Sequence, residues 1–121
     1  MNKFLSSVRC ASKGIHYAVR TERNIRVQLL VFVLVMVAAA ILDVAKVDVV
    51  LLLAISALLF SLELTNTAIE RLADKVSPQY DQQIGMVKDI MAGAVLIAAV
   101  FAIVIGVIIL HEPFLKFIHY Y

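Results

Sequence analysis

The stretch Glu63-Leu-Thr-Asn-Thr-Ala-Ile-Glu70, continuing to Asp74, sets chemistry-bearing side chains at helical spacing. At about 100° per residue, Glu63, Asn66, Thr67, Glu70 and Asp74 fall within an arc of roughly 100°. Leu64, Ala68, Ile69 and Leu72 lie on the other side. Such a stripe, continuous with an apolar segment, needs compensation, because an ionisable group costs about 3 kcal/mol at the centre of a membrane helix even on the lenient insertion scale, and still costs something near its edge. Three partners qualify. Basic side chains (Lys88, Arg23, Arg26) would make a structural salt-bridge network. A divalent cation such as Mg²⁺ suits carboxylates that have no His or Cys beside them. Protons would suit a proton-coupled transporter. Cys10 is the only cysteine, which excludes an intrachain disulfide and a Cys-based metal site.

Spacing divides the stripe. Glu63 and Glu70 are seven residues apart, about 10.5 Å along a helix axis, which is far for two ligands of one Mg²⁺. The two therefore read as separate sites: Glu70 could share a metal with Glu22, and Glu63 could face a lipid hydroxyl, as a general base if burial raised its pKa. A second polar pair, Lys88-Asp89, precedes the last apolar block. It reads either as helix N-terminal decoration, since Asp there suits the macrodipole, or as a phosphate contact through Lys88.

The elements that hold these residues follow from composition. Of 121 residues, 63% are apolar, and the mean hydropathy is +0.96. A single water-soluble core of this size would not bury so much apolar surface. The apolar residues form blocks at about 27–42, 47–69 and 90–110, and Gln28 is the one polar interruption of the first. The third block has the roughly 20 residues that cross a bilayer. The second reaches that length only by including Glu63 and Asn66. The first is short and is expected to draw residues from the helix before it. Within about 3–20, Phe4, Leu5, Val8, Ala11, Ile15 and Ala18 recur at helical spacing, with Lys3, Arg9, Lys13 and Arg20 elsewhere, as in an amphipathic surface helix. The expected fold is therefore an all-α membrane protein, an N-terminal amphipathic surface helix followed by three transmembrane helices in a single domain.

Basic residues set the orientation. Six precede the first block, three lie between Arg71 and Lys88, and one each sits in the Asp43–Asp48 turn and the C-terminal tail. The N-terminus and the Arg71–Lys88 loop are expected in the cytoplasm. The aromatic tail His111–Tyr121 is expected to anchor at the far interface. Ala38-Ala39-Ala40 has the small residues of a signal cleavage site, but the preceding charged region is long and contains Glu22, so an uncleaved chain is expected. There are no solenoid repeats, no low-complexity tracts, no P-loop and no GxGxxG. No nucleic-acid partner is expected.

Together these segments resemble the prokaryotic diacylglycerol kinase family, which includes the undecaprenol kinases. The resemblance rests on Thr21-Glu22-Arg23-Asn24, on Glu63 to Glu70, on Lys88-Asp89 with Ala92-Gly93-Ala94-Val95, and on Ala11-Ser-Lys-Gly14. It covers roughly Lys3 to Leu110. It implies a homotrimer of three-span subunits in the bacterial inner (cytoplasmic) membrane, transferring the ATP γ-phosphoryl group to a membrane lipid alcohol. ATP is then the co-substrate and Mg²⁺ the cofactor. By the same resemblance Glu63 is the general base, supported by Asn66, and Glu22 and Glu70 hold Mg²⁺. Lys88, Asp89 and Lys3 contact nucleotide, and Lys13 and Gly14 lie on the lipid substrate. The family often has Tyr-His or His-His before the third span. Here Gln79-Tyr80-Asp81 stands instead, which leaves Gln79 and Tyr80 as nucleotide candidates and sets acidic Asp81 against a phosphate contact. Thr21-Glu22-Arg23-Asn24, Phe60-Ser-Leu-Glu-Leu64 and Ala92 to Val95 favour the undecaprenol branch, with diacylglycerol next. The rivals are a small proton-coupled transporter that uses the acidic stripe as a relay, and a structural subunit.

Overall fold

A computed structural model describes residues 2–121 as four helices: α1 (Asn2–Thr21), α2 (Arg23–Ile41), α3 (Lys46–Val76) and α4 (Gln82–Tyr120). At 1.5 Å per residue, α2 is about 28 Å long, α3 about 46 Å and α4 about 58 Å. All three are long and apolar enough to cross a membrane, whose hydrocarbon core is about 30 Å thick. Measured from Val47, that thickness is used up after about 20 residues, near Asn66. Glu63 thus falls within about a turn of the boundary, and Glu70 about a turn beyond it.

α3 and α4 form the main packed pair, α2 lies mostly against α3, and α1 rests on α2 and α3. Ala39, Leu52 and Ile109 knit the three spans together at the end distant from Glu63. Only 11% of the most apolar window of each span is buried, so most of the apolar surface faces lipid or another chain.

The α1–α2 break falls on Glu22, whose extended backbone (φ −108°, ψ 116°) stops one helix and starts the next. Arg26 reaches back and donates to the Val19 and Arg20 carbonyls at 2.9 and 2.8 Å. These are carbonyls left without helical partners at the end of α1. Ile25, fully buried beside Ala18, closes the corner. The first span therefore gains its length from Arg23–Arg26, which belong to α2 itself and not to the preceding helix. The α2–α3 turn passes through Asp43 at φ 50°, a left-handed conformation that Asp tolerates better than most residues.

Two helix ends differ from the sequence expectation. Lys88 and Asp89 do not open α4; it begins at Gln82, capped by Asp81, whose carboxylate accepts from the backbone N–H of Gln83 (2.9 Å) and Ile84 (3.0 Å). Asp89 is therefore no N-terminal decoration, and Asp81 has a structural task. Asp81→Ala is expected to cost about 1 kcal/mol, read as a lower unfolding midpoint in detergent. At the other end, α4 runs through Pro113 to Tyr120, because Phe114, Leu115, Phe117 and Ile118 continue the helical spacing of apolar residues past the proline.

Candidate active site

Glu63, Asn66 and Thr67 are the buried polar residues among those described, at 3%, 8% and 4% exposure. All three lie on α3, which carries them on one face without a break. The Thr67 hydroxyl donates to the Glu63 carbonyl at 3.0 Å, four residues back. That local bond uses the Glu63 backbone carbonyl and leaves the buried carboxylate to partners on α2. Across the helix interface, Gln28 Nε2 donates to Glu63 Oε2 at 3.3 Å, and Asn24 also faces this carboxylate. One turn on, Asn66 Nδ2 donates to Glu70 Oε1 at 3.4 Å. Glu22 and Glu70 lie close enough for their charges to act on Glu63.

Glu22 is not joined to Glu70 in this structure. Its Oε1 takes Arg71 Nη2 at 2.7 Å, and the Arg71 guanidinium sits 5.8 Å from the centre of the Tyr17 ring. Lys88 pairs with Asp74, and that carboxylate, as hydrogen-bond partner first, pushes the Lys88 ammonium above its ordinary lysine value. Lys88 therefore stays cationic through neutral pH.

Two buried oxygens have no partner, Gln28 Oε1 and Asn66 Oδ1. A buried acceptor without a donor is costly. Here both amides adjoin carboxylates, so the cleft offers hard oxygen donors only, the set that suits Mg²⁺. No group of three His, Cys, Asp or Glu side chains converges among the described residues. Near Glu70 the donors are its own carboxylate and the Asn66 oxygen, the hard kind that Mg²⁺ takes, and Glu22 would be the second carboxylate once released by Arg71.

The remaining candidates are more dispersed. Lys3, Lys13 and Gly14 are exposed on α1, and Asp89 is exposed on α4. Tyr80 is 90% exposed, while the Gln79 carbonyl accepts from the Ser77 hydroxyl at 2.8 Å. None of these is hydrogen-bonded or ion-paired to the Glu63–Glu70 face among the described residues. Sequence reading missed three members, Asn24, Gln28 and Arg71, of which Asn24 entered only as part of a motif. Gln28 had a signal, since an amide inside an apolar span marks a functional position by default. Arg71 had only its place beside Glu70.

Gln28 also lines a large open groove. About 950 Å³ of space runs between α2, α3 and α4, walled by apolar side chains from Val27 and Phe32 to Gly106 and Phe114. The groove crosses the apolar thickness and meets, at Gln28, the hydrogen-bond partner of Glu63.

Comparison with known proteins agrees with this architecture. Over 113 residues the chain is 39% identical to a diacylglycerol kinase of Synechocystis sp., covering 93% of this chain and 65% of that protein. It is 31% identical over 109 residues to an undecaprenol kinase of Bacillus subtilis, covering 90% and 89%. It is 33% identical over 102 residues to a diacylglycerol kinase of Escherichia coli, covering 84% of each. The chain thus spans just under two thirds of the length of the Synechocystis relative. Residues 9–110, from the middle of α1 to the point where α4 leaves the apolar core, match the description of prokaryotic diacylglycerol kinase, and the chain belongs to that family.

Proposed function

We propose that the chain is an ATP-dependent lipid kinase working at the cytoplasmic face of a bacterial inner membrane, with its N-terminus in the cytoplasm, as a homotrimer. The observation that carries this reading is Glu63, a carboxylate 3% exposed, at the membrane edge beside the groove that Gln28 lines. The groove suits the tail of a lipid, and Glu63 suits its hydroxyl.

In this mechanism Glu63 accepts the proton of the lipid hydroxyl as the oxygen attacks the γ-phosphorus. The bond to the β–γ bridging oxygen breaks and ADP leaves. Gln28 and Asn24 hold the base in place from α2, and Asn66 fixes Glu70. When held by Glu22 and Glu70, Mg²⁺ supplies neutralisation of the phosphate charge. Lys88 adds a further positive charge near the phosphates once it exchanges Asp74 for them. Small residues Ala92, Gly93, Ala94, Ala98 and Ala99 allow close approach of α4 to neighbouring helices.

The relatives divide between diacylglycerol kinase and undecaprenol kinase. The short motifs favour undecaprenol, and the higher identity is to a diacylglycerol kinase, so the two alcohols are tested side by side. Purified protein in detergent, given labelled ATP and Mg²⁺, is expected to transfer label to at least one of them. Label in neither lipid would overturn the kinase reading. The proton-coupled transporter finds no support, because the relatives are named as kinases and the carboxylates gather at one membrane edge.

A further inference from the structure

Glu22 stands at the N-cap position of α2, yet makes no cap hydrogen bond. Its carboxylate turns away to α3 and takes a single guanidinium nitrogen of Arg71 at 2.7 Å. Of the other guanidinium groups at this corner, Arg26 is committed to the α1 carbonyls, and Arg20 and Arg23 make no ion pair with Glu22 among the described residues. Arg71 is the ion-pair partner of Glu22 among the described residues, and it lies beside Glu70 in the chain. The bond is one-pronged, and the two side chains are 48% and 24% exposed. An ion pair of that kind is weak and easily exchanged.

Charge sharpens the point. Four carboxylates (Glu22, Glu63, Glu70, Asp74) line this end of α3, and two cations, Arg71 and Lys88, are paired with two of them. Glu63 and Glu70 have no ion-pair partner among the described residues. A cation drawn to Glu70 and Glu22 weakens the hold of Arg71, since both draw on the charge of the same carboxylate. The freed guanidinium then sits beside the cation, where repulsion drives it towards an anion. Its fork geometry matches phosphate oxygens.

We propose that Arg71 is an exchangeable counter-ion, masking Glu22 without nucleotide and moving to the polyphosphate when Glu22 takes the divalent cation. This rests on the kinase reading above. Arg71 becomes a substrate-contacting residue, and the Tyr17 ring, 5.8 Å from its guanidinium, is the resting place it leaves. The two ends of the exchange are linked, so removing Arg71 acts on them in opposite directions.

The test uses the full chain in detergent and Arg71→Gln, with Mn²⁺ as a spectroscopic probe in the absence of nucleotide. Unmasking Glu22 is expected to tighten Mn²⁺ binding about three- to fivefold. In steady-state transfer the same variant is expected to raise the KM for ATP about tenfold or more, with the KM for lipid alcohol unchanged. Arg71→Lys keeps the charge and guards against misfolding. It is expected to restore wild-type Mn²⁺ affinity and to recover part of the ATP KM. Unchanged or weaker Mn²⁺ binding in Arg71→Gln would overturn the masking role, and an unchanged ATP KM would overturn the phosphate contact. Should Arg71→Gln fail to fold, Arg71→Lys decides alone: an ATP KM equal to wild type overturns the proposal, and a raised one supports it. If wild type itself labels no lipid, the kinase reading has failed, while the Mn²⁺ comparison still judges the masking of Glu22.

Discussion

Glu63→Gln is expected to lower phosphoryl transfer by about 10²–10⁴-fold, the usual contribution of a positioned general base, while ATP binding persists. That loss corresponds to roughly 3–5 kcal/mol of transition-state stabilisation. The substitution removes one proton acceptor and little else. Glutamine keeps the length of the side chain and one carbonyl oxygen, so Gln28 retains something to donate to. Thr67 bonds the backbone carbonyl of residue 63, not its side chain, and is unaffected. The helix therefore stays intact, and a fall in turnover reports chemistry.

Glu63→Asp separates the base from its placement. Aspartate keeps the charge but withdraws it by about one bond length, away from Gln28 and the groove, and misplacement of that order is costly in a positioned reaction. Intermediate activity is expected, with ATP binding again intact. Were ATP binding and transfer to fall together in Glu63→Gln, residue 63 would be holding nucleotide instead of accepting a proton. Normal turnover in that variant would remove the base assignment altogether.

The stripe on α3 was legible in the sequence because helical geometry alone decides it. α3 is unbroken from Lys46 to Val76, so residues three, four and seven apart share a face wherever the helix packs. The apolar blocks were legible for a similar reason: a bilayer imposes a length. What a block of apolar residues does not disclose is where the helix around it ends. α4 starts at a polar cap, Asp81, well before its apolar run, and continues beyond Pro113. The partners of the carboxylates were the least legible. Glu22 and Arg71 are 49 residues apart, and Gln28 and Glu63 are 35 apart. Their pairing depends on how α2 docks on α3, which no local pattern along the chain records. Lys88 carried three sequence readings, as helix decoration, as a phosphate ligand or as a basic partner of the stripe. The structure has it on Asp74, a member of that stripe, though which carboxylate it takes was not legible in the sequence.

Glu70→Gln is expected to separate the proposed metal role from the proposed base role. Glu70 lies about two turns from Glu63 on α3, outside the apolar thickness, with the Asn66 amide fixing one of its oxygens. Neutralising it removes one of the two carboxylates available to a hard cation, and a cation held through few charged ligands binds more weakly as each is lost. The Mg²⁺ concentration for half-maximal transfer is therefore expected to rise sharply, by about tenfold or more, with a large part of the rate recovered at saturating Mg²⁺. Glu63→Gln, by contrast, is not expected to recover at any Mg²⁺ concentration, because no cation replaces a missing proton acceptor. Mn²⁺ binding without nucleotide should follow the same order, weakened in Glu70→Gln and near normal in Glu63→Gln. A Glu70 variant with wild-type Mg²⁺ dependence would place the cation elsewhere in the cleft. The orphaned oxygens of Gln28 and Asn66 would then be the donors to test next, through Gln28→Leu and Asn66→Leu.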